Sequence, residues 1–135
     1  MALLVPDVGE VKLLEMALKD ANPGDMIIHL YVNDKTPVEG DNLVSFSEMS
    51  TQGYVSQVLT RANWVVSSAA GVSTAQYPQL VFTFDGTGDD TNVYGYYITT
   101  NDGAEKLLWA ERFPNAITVR NNGDQIKVTP KMELE

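Results

Sequence analysis

Residues 26–32 read MIIHLYV and decide the fold class, because the apolar residues fit a strand that carries apolar side chains on both faces. Successive side chains of a strand point to opposite faces, so the segment divides into two sets. One face carries Met26, Ile28, Leu30 and Val32, and the other carries Ile27, His29 and Tyr31. The segment is therefore predicted to be a strand, and the same period continues through most of the chain that follows.

The segment before this strand is predicted to be the one helix of the chain, over about residues 8–21. Asp7 and Glu10 have the spacing of a capping box, and residues 22–24 (NPG) end the helix. An apolar face that must pack on something is formed by Val11, Leu14 and Leu18, which are flanked by Leu13 and Ala17.

The rest of the chain contains short apolar runs separated by Gly, Asn, Asp and Pro. Pro130 cannot donate to a β-ladder, so it indicates an edge strand or a break. Strand after strand at this spacing favours a mainly β fold, either an antiparallel sandwich of jelly-roll-like form or a small barrel, with one short N-terminal α-helix. The predicted strands after the first are 43–46, 54–59, 63–67, 80–84, 93–99, 106–111, 117–120 and 125–134.

The domain organisation predicted from length is simple. Residues 1–6 form an apolar arm, and residues 7–135 form a single β-sandwich domain that includes the helix. A chain of 135 residues buries roughly two-thirds of its unfolded surface, so it does not require a disulfide, and it has no Cys.

The charge balance excludes two classes of partner. There are 18 acidic and 9 basic residues, a formal net charge of -9, and the basic residues are scattered singly. Nucleic-acid binding and polybasic membrane attachment are both disfavoured without a basic stripe. The apolar stretches at 1–6 and 107–110 are far short of the ~20 residues that span a bilayer. The first residues also lack the basic region and long apolar core of a secretory signal. We expect synthesis in the cytoplasm.

Three segments resemble small structural proteins of tailed bacteriophages. They are TNVYGYYIT at 91–99 followed by KLLWAERF at 106–113, NGDQIKVTP at 122–130, and the opening helix followed by IHLYVND at 28–34. Together they cover most of the chain, and they mark strands of the fold, so the resemblance assigns no contact residues.

The resemblance implies a head decoration or cement protein. Such a protein would be made in the host cytoplasm and bind the outer surface of the capsid shell, clamping neighbouring major capsid proteins. Proteins of this kind are commonly β-rich and oligomeric, so the expected partners are the major capsid protein and further copies of the chain, as a homotrimer or a dimer. Acidic charge suits the solvent side of a DNA-filled shell.

Two sets of residues are candidates for an interface. The arm residues Leu3, Leu4 and Val5 either cover the sheet or reach a neighbouring subunit, and deletion of residues 1–5 is expected to weaken assembly while leaving the β-core folded. Tyr94 and Tyr96 flank Gly95, which indicates a bulge or a close backbone approach. Tyrosine is common at interface centres, although packing within the sandwich also explains these rings.

No catalytic, cofactor-binding or metal-binding residue is predicted. His29 lacks neighbouring acidic or nucleophilic partners in the sequence, and the loop 85–90 (DGTGDD) lacks the ligand spacing of an EF-hand and is interpreted as a solvated hairpin loop. Glu48 and Glu111 are conceivable paired carboxylates of a glycosidase, yet each is more simply a surface residue. The chain is therefore expected not to be an enzyme.

Three alternatives remain open. One is another virion component, in the tail, neck or baseplate. Another is a carbohydrate-binding β-sandwich that presents aromatic rings such as Tyr94, Tyr96 or Trp64. The last is a hydrolase, which would require His29 and a pair of acidic residues in one cleft.

Overall fold

The computed structural model describes residues 3–18, 20 and 23–134. Two short 3-10 helices, Leu43–Ser45 and Arg61–Asn63, lie in connections. In the described residues the main elements are α1 (Asp7–Leu18), β1 (Met26–Tyr31), β2 (Gln57–Leu59), β3 (Val65–Ala69), β4 (Val72–Gln76), β5 (Leu80–Asp85), β6 (Thr91–Thr100), β7 (Leu107–Val119), β8 (Asn122–Val128) and β9 (Lys131–Leu134). The prediction of a mainly β chain with one helix near the N-terminus is confirmed.

The strands pair antiparallel and form three sheets. The central sheet has the order β2-β1-β6-β7, a smaller sheet has the order β3-β4-β9, and β5 pairs with β8 in a ribbon. The ribbon stacks on one face of the central sheet, so the antiparallel, layered architecture is confirmed. The small-barrel alternative is wrong, because β2 and β7 end the central sheet without pairing with each other.

The main core lies between the central sheet and the ribbon. β1 and β6 contribute Ile28, Leu30 and Ile98, and the ribbon contributes Phe82 and Ile126. Burial of these apolar side chains is the main favourable term for a fold of this size. Since Val93 and Val119 also join this cluster, it runs the full length of the central hairpin β6-β7.

The opposite face of the central sheet is covered as well. Tyr31 and Tyr97 lie there beneath Phe46, which comes from the connection between β1 and β2. The rings of Phe46 and Tyr97 stack with centroids 5.2 Å apart, and those of Phe46 and Tyr31 meet edge-on at 5.0 Å. Both faces of β1 are therefore buried towards its end, and burial raises the pKa of Tyr31 to about 12.

Helix α1 begins at Asp7, and Pro6 accepts hydrogen bonds from the amides of Gly9 and Glu10. The predicted start at residue 8 is one residue late, and the predicted end is late too, because the helix ends at Leu18 and Asp20 is not helical. Residues 19, 21 and 22 lie outside the described residues. The amide of Asp7, which Glu10 was predicted to bind, donates instead to the carbonyl of Glu39 at 3.0 Å, so the capping box is wrong.

The face of α1 that packs on the sheet is not the predicted one. Gly9, Leu13 and Met16 face the sheet, at the i, i+4, i+7 spacing of a helical stripe. A Cβ atom at Gly9 would overlap the carbonyl oxygen of Leu108, so only glycine permits this approach to β7. Val11 and Leu14, predicted to pack on the sheet, face outward. The side chain of Leu18, predicted on the same face, lies outside the part of the chain that the structure describes.

Three strand predictions need correction. Residues 43–46 were predicted to be a strand but contain a 3-10 helix, because the Asn42 side chain accepts from the amide of Val44 at 3.0 Å. The predicted strands 106–111 and 117–120 form the single strand β7, whose pairing with β6 shifts register between them. β4 was not predicted; it returns from β3 through a two-residue turn.

The predictions made at Pro130 and Gly95 are confirmed. Residues 125–134 break at Pro130, with β8 before it and β9 as the edge of the smaller sheet after it. The register of β6 shifts next to Gly95, where a Cβ would collide with the backbone of Glu111 and the ring of Tyr31. The bulge and the close approach predicted at Gly95 are both confirmed.

Candidate interaction surface

The arm residues Leu3, Leu4 and Val5 lie along the free edge of β7. The amide of Leu4 donates to the carbonyl of Ala110 at 3.1 Å, and the amide of Ala110 donates to the carbonyl of Leu4 at 3.0 Å. Leu3 and Val5 pack against the main core. Residues 1 and 2 lie outside the described residues. The arm was predicted either to cover the sheet or to reach a neighbouring subunit. Residues 3–5 cover the chain's own sheet.

The two candidate tyrosines have different environments. Tyr96 is 2% exposed, and its hydroxyl donates to Oε2 of Glu111 at 2.6 Å. Burial and the Glu111 carboxylate both raise the pKa of Tyr96. Tyr94 is half-buried, with the guanidinium of Arg112 5.3 Å from its ring centroid. Tyr94 can contribute to an outer surface, whereas Tyr96 is part of the core.

Helix α1 carries an apolar outer stripe, defined as Val8, Val11 and Leu14. Val11 is 59% exposed and Leu14 is 61% exposed. The inner face of the same helix is fixed on β7 through Gly9, and Lys12 reaches Asp20 with Nζ 3.2 Å from Oδ2. The outer stripe is therefore an apolar surface held on a rigid element, which was not predicted.

A groove of about 380 Å³ runs beside the outer stripe. Val8 and Val11 line it with apolar surface, and both acidic and basic side chains line it as well. An apolar centre with a polar rim is the common composition of protein interfaces. The charged residues that line the groove are Asp7, Lys12, Glu15 and Lys106.

A second concave surface lies between α1 and the smaller sheet. This cleft, of about 370 Å³, is lined from the helix by Leu13 and Met16 and from the sheet by the cross-strand row Val66, Ala75 and Met132. Its base contains two indole rings packed edge-on with centroids 6.0 Å apart, those of Trp64 and Trp109.

The aromatic rings named for a carbohydrate-binding module do not form one platform. Trp64 packs edge-on against Tyr77 with centroids 5.3 Å apart and belongs to the main core, as does the buried Tyr96. Tyr94 packs against the cluster on the other face of the central sheet. Sugar recognition by stacking uses exposed ring faces, and these three residues do not offer such faces on a common surface.

His29 has partners that the sequence did not indicate. Its Nδ1 lies 2.8 Å from Oε1 of Glu48 and its Nε2 lies 2.9 Å from Oγ1 of Thr99. The ring also stacks on Tyr97 with centroids 4.6 Å apart. A carboxylate oxygen accepts hydrogen bonds, so this contact gives Nδ1 of His29 the donor role and leaves Nε2 facing the hydroxyl of Thr99. His29 is 4% exposed and is therefore a buried residue of β1.

The hydroxyl, imidazole and carboxylate of this group have the order found in a catalytic triad. Thr99 is 0% exposed, however, so a substrate cannot reach its hydroxyl in this conformation. The hydroxyl of Tyr54 also donates to Oε1 of Glu48, at 2.9 Å, and accepts from the amide of Leu30. The group therefore acts as a polar clamp that joins β1, β6 and the segment before β2.

The two candidate carboxylates are divided between the faces of the central sheet. Glu111 accepts from Tyr96, while Glu48 binds His29, which stacks on Tyr97. Adjacent residues of a strand point to opposite faces, so Tyr96 and Tyr97 hold these carboxylates apart. Glycosidases place both carboxylates at the two sides of one bond.

The acidic loop 85–90 is not a hairpin loop. β5 pairs with β8 and β6 pairs with β1 and β7, so the loop crosses from one layer to the other. Oδ1 of Asp85 accepts from the amide and the hydroxyl of Thr87 at 2.8 and 2.6 Å, and these bonds lower the pKa of Asp85. Across the residues that the structure describes, no cluster of three or more His, Asp or Glu side chains is placed to hold a metal ion.

Comparison with protein-family models, curated proteins and solved structures finds no match to this chain. Within the described ranges, no helix has both the length and the apolar character needed to cross a bilayer.

Proposed function

We propose that this chain is a non-enzymatic structural protein of a tailed-bacteriophage virion, a decoration or cement protein that binds the outer surface of the major capsid shell. The resemblance of residues 91–99, 106–113 and 122–130 to phage structural proteins supports the choice of partner. The observation that carries the proposal is the outer stripe of α1, an apolar surface on a helix fixed to the sheet.

The outer stripe suits a binding role for an energetic reason. Ordering a flexible segment on binding costs conformational free energy, and a helix already fixed by Gly9 and Met16 avoids most of that cost. The neighbouring groove adds charges of both signs, through Lys12, Lys106 and Glu15, which can fix the orientation of a partner. The stripe then supplies the apolar contact.

The proposed mechanism is passive. Each copy buries surface against capsid subunits and against other copies, so opening the shell requires several interfaces to break together. A standard interface buries about 1,600 Å² in total, and linked contacts multiply weak affinities. The net charge of -9 supports a position on the outside of the shell, because an acidic chain is repelled by the phosphates of packaged DNA.

The test is binding to expanded empty capsids of the phage that encodes the chain. The double variant Val11→Asp with Leu14→Asp places charges on the outer stripe, and we expect it to bind at least tenfold more weakly than the unmodified chain. The matched control changes Val44 and Val55 to Asp; both valines are more exposed than Val11 and Leu14 and lie far from α1 in the sequence.

Equal binding by both double variants would contradict the role of the stripe. Binding of the unmodified chain to tails or necks, with none to capsids, would contradict the capsid assignment and favour the other virion component.

A further inference from the structure

Strand β3 is an edge strand without the usual protection. It pairs with β4 on one side, and among the described residues no strand lies on its other side. All five of its residues are exposed, with Val65 at 63% and Val66 at 73%. Natural edge strands are blunted by charges, proline or bulges, because an open edge pairs with other strands. β3 reads VVSSA, and its register with β4 is continuous through all five pairs.

The charge pattern around β3 is equally unusual for this chain. Residues 62–84 contain no Lys, Arg, Asp or Glu, although 20% of the whole chain is charged. With a net charge of -9, two copies repel each other over most of their surfaces. The β3-β4 hairpin is a surface where a second copy can approach without opposing like charges.

The turn of the hairpin determines which backbone groups of β3 are free. Ala70 and Gly71 have φ angles of 52° and 81°, as in a two-residue type I′ turn. Ala69 and Val72, which close this turn, form a hydrogen-bonded pair, and bonded and non-bonded pairs alternate along an antiparallel ladder. The N–H and C=O groups of Val66 and Ser68 therefore point away from β4, to the free edge.

We propose that two copies of this chain associate through β3, antiparallel, across a two-fold axis at Ser67. The result is a continuous six-stranded sheet of order β9-β4-β3-β3-β4-β9. Val66 of one copy faces Ser68 of the other, and each such pair exchanges two backbone hydrogen bonds. Each copy has four free backbone groups at this edge, the N–H and C=O of Val66 and Ser68. The two symmetric pairs therefore form four hydrogen bonds that use all of these groups in both copies.

A second copy fits this edge because β3 is its own complement. With the axis at Ser67 all five residues find a partner in β3 of the other copy, and each valine faces a small residue, Ala69 or Ser68. An axis at Val66 would place Ser68 opposite Trp64, outside the strand, and an axis at Ser68 would place Val66 opposite the turn. The contact is isologous, as in most dimers. It does not depend on the proposed function, and of the homotrimer and the dimer that the phage resemblance implies it predicts the dimer.

The first experiment measures the mass in solution by sedimentation equilibrium. The unmodified chain is expected to be a dimer, and the variant Val66→Lys with Ser68→Lys, which opposes two ammonium groups at each pair, is expected to be a monomer of half that mass. A control with Val44→Lys and Val55→Lys carries the same charges on exposed valines elsewhere and is expected to remain a dimer. A monomeric unmodified chain, or a dimer or trimer that survives the β3 variant, would overturn the proposal.

The second experiment keeps the test decisive if the β3 variant does not fold. The chain has no Cys, and the axis brings the two Ser67 residues together as a non-hydrogen-bonded pair, with Cα atoms about 4.5 Å apart. Ser67→Cys is expected to form a covalent dimer on oxidation, while the exposed control Ser50→Cys is not. Equal cross-linking of both variants, or none at Ser67→Cys, would contradict the two-fold contact.

Discussion

The Nδ1 atom of His29 lies 2.8 Å from Oε1 of Glu48, and this contact joins the buried end of β1 to the segment that leads into β2. The imidazole is enclosed, with Thr99 on its other nitrogen and Tyr97 stacked on its face. Buried polar groups of this kind stabilise a fold only when each has its partner, and here each does.

The clamp predicts a graded series of stabilities. His29→Ala removes the ring and leaves Glu48 and Thr99 without their partner, so we expect a loss of about 3 kcal/mol in the free energy of unfolding. Thr99→Val keeps the shape and removes one hydroxyl, so we expect about 1 kcal/mol. Urea denaturation measures both. If both variants lost the same free energy of unfolding, the ring of His29 would contribute no more than the single hydroxyl of Thr99, which would contradict this expectation.

Gly9 provides a test of the docking of α1. Gly9→Ala places a Cβ against the carbonyl oxygen of Leu108, so we expect a loss of about 1–3 kcal/mol despite the better helix propensity of alanine. Gly40→Ala is the matched control, because a Cβ there meets no atom within 4 Å. Thermal unfolding measures both. A more stable Gly9→Ala variant would show that the helix does not contact β7 as described.

The fold class could be predicted because the pattern of apolar residues along a strand depends on residues that are neighbours in the sequence. The period of two at residues 26–32 and the break at Pro130 each depend on neighbouring residues alone. The errors came where a local polar contact or a tertiary contact decided the outcome. Asn42 caps a 3-10 helix in place of the predicted strand, and Gly9 selects the inner face of α1 over the more apolar face of Val11 and Leu14.

The candidate site was less predictable than the fold. The partners of His29 lie 19 and 70 residues away in the sequence, so their contacts depend on the pairing of strands. One signal was present: a glycine inside a predicted helix costs about 1 kcal/mol relative to alanine, so Gly9 indicated a close approach. If the face of Gly9 packs on the sheet, the outer stripe on the other side of the helix must be exposed.

The ion pair of Asp41 and Lys35 predicts a dependence of stability on pH. Burial acts to raise the pKa of Asp41, but Lys35, with Nζ 2.8 Å from Oδ1, and the amide of Val38 outweigh it and lower the pKa below its ordinary value. A lowered pKa in the folded state adds stability above the pKa of the unfolded state, about 4, which is lost as the pH falls through the folded value.

Asp41→Asn is therefore expected to lose about 1–2 kcal/mol at pH 7, with the difference from the unmodified chain shrinking below about pH 4. Asp34→Asn is the control, since Asp34 pairs with Arg112 at the surface and is expected to contribute less than about 1 kcal/mol. Urea denaturation at several pH values measures the difference. A loss at Asp41→Asn that persists unchanged at pH 2 would contradict the role of the ionised carboxylate.

Deletion of residues 1–5 now has a sharper expected result. Leu4 exchanges two hydrogen bonds with Ala110, and Leu3 and Val5 pack on the core, so we expect a lower melting temperature as well as weaker assembly. The sequence predicts that the β-core stays folded after this deletion, and the contacts of Leu4 with Ala110 add the expectation that the core is less stable. Differential scanning calorimetry and sedimentation measure the two effects. An unchanged melting temperature would show that the arm does not pack on β7 in solution.

We propose that the chain acts by assembling on a capsid, with no chemical step. Quantitative mass spectrometry of purified virions of the encoding phage tests it most directly. We expect to find the protein in mature particles at a copy number comparable to that of the major capsid protein. Its absence from mature particles, with the protein free in infected cells, would contradict the account.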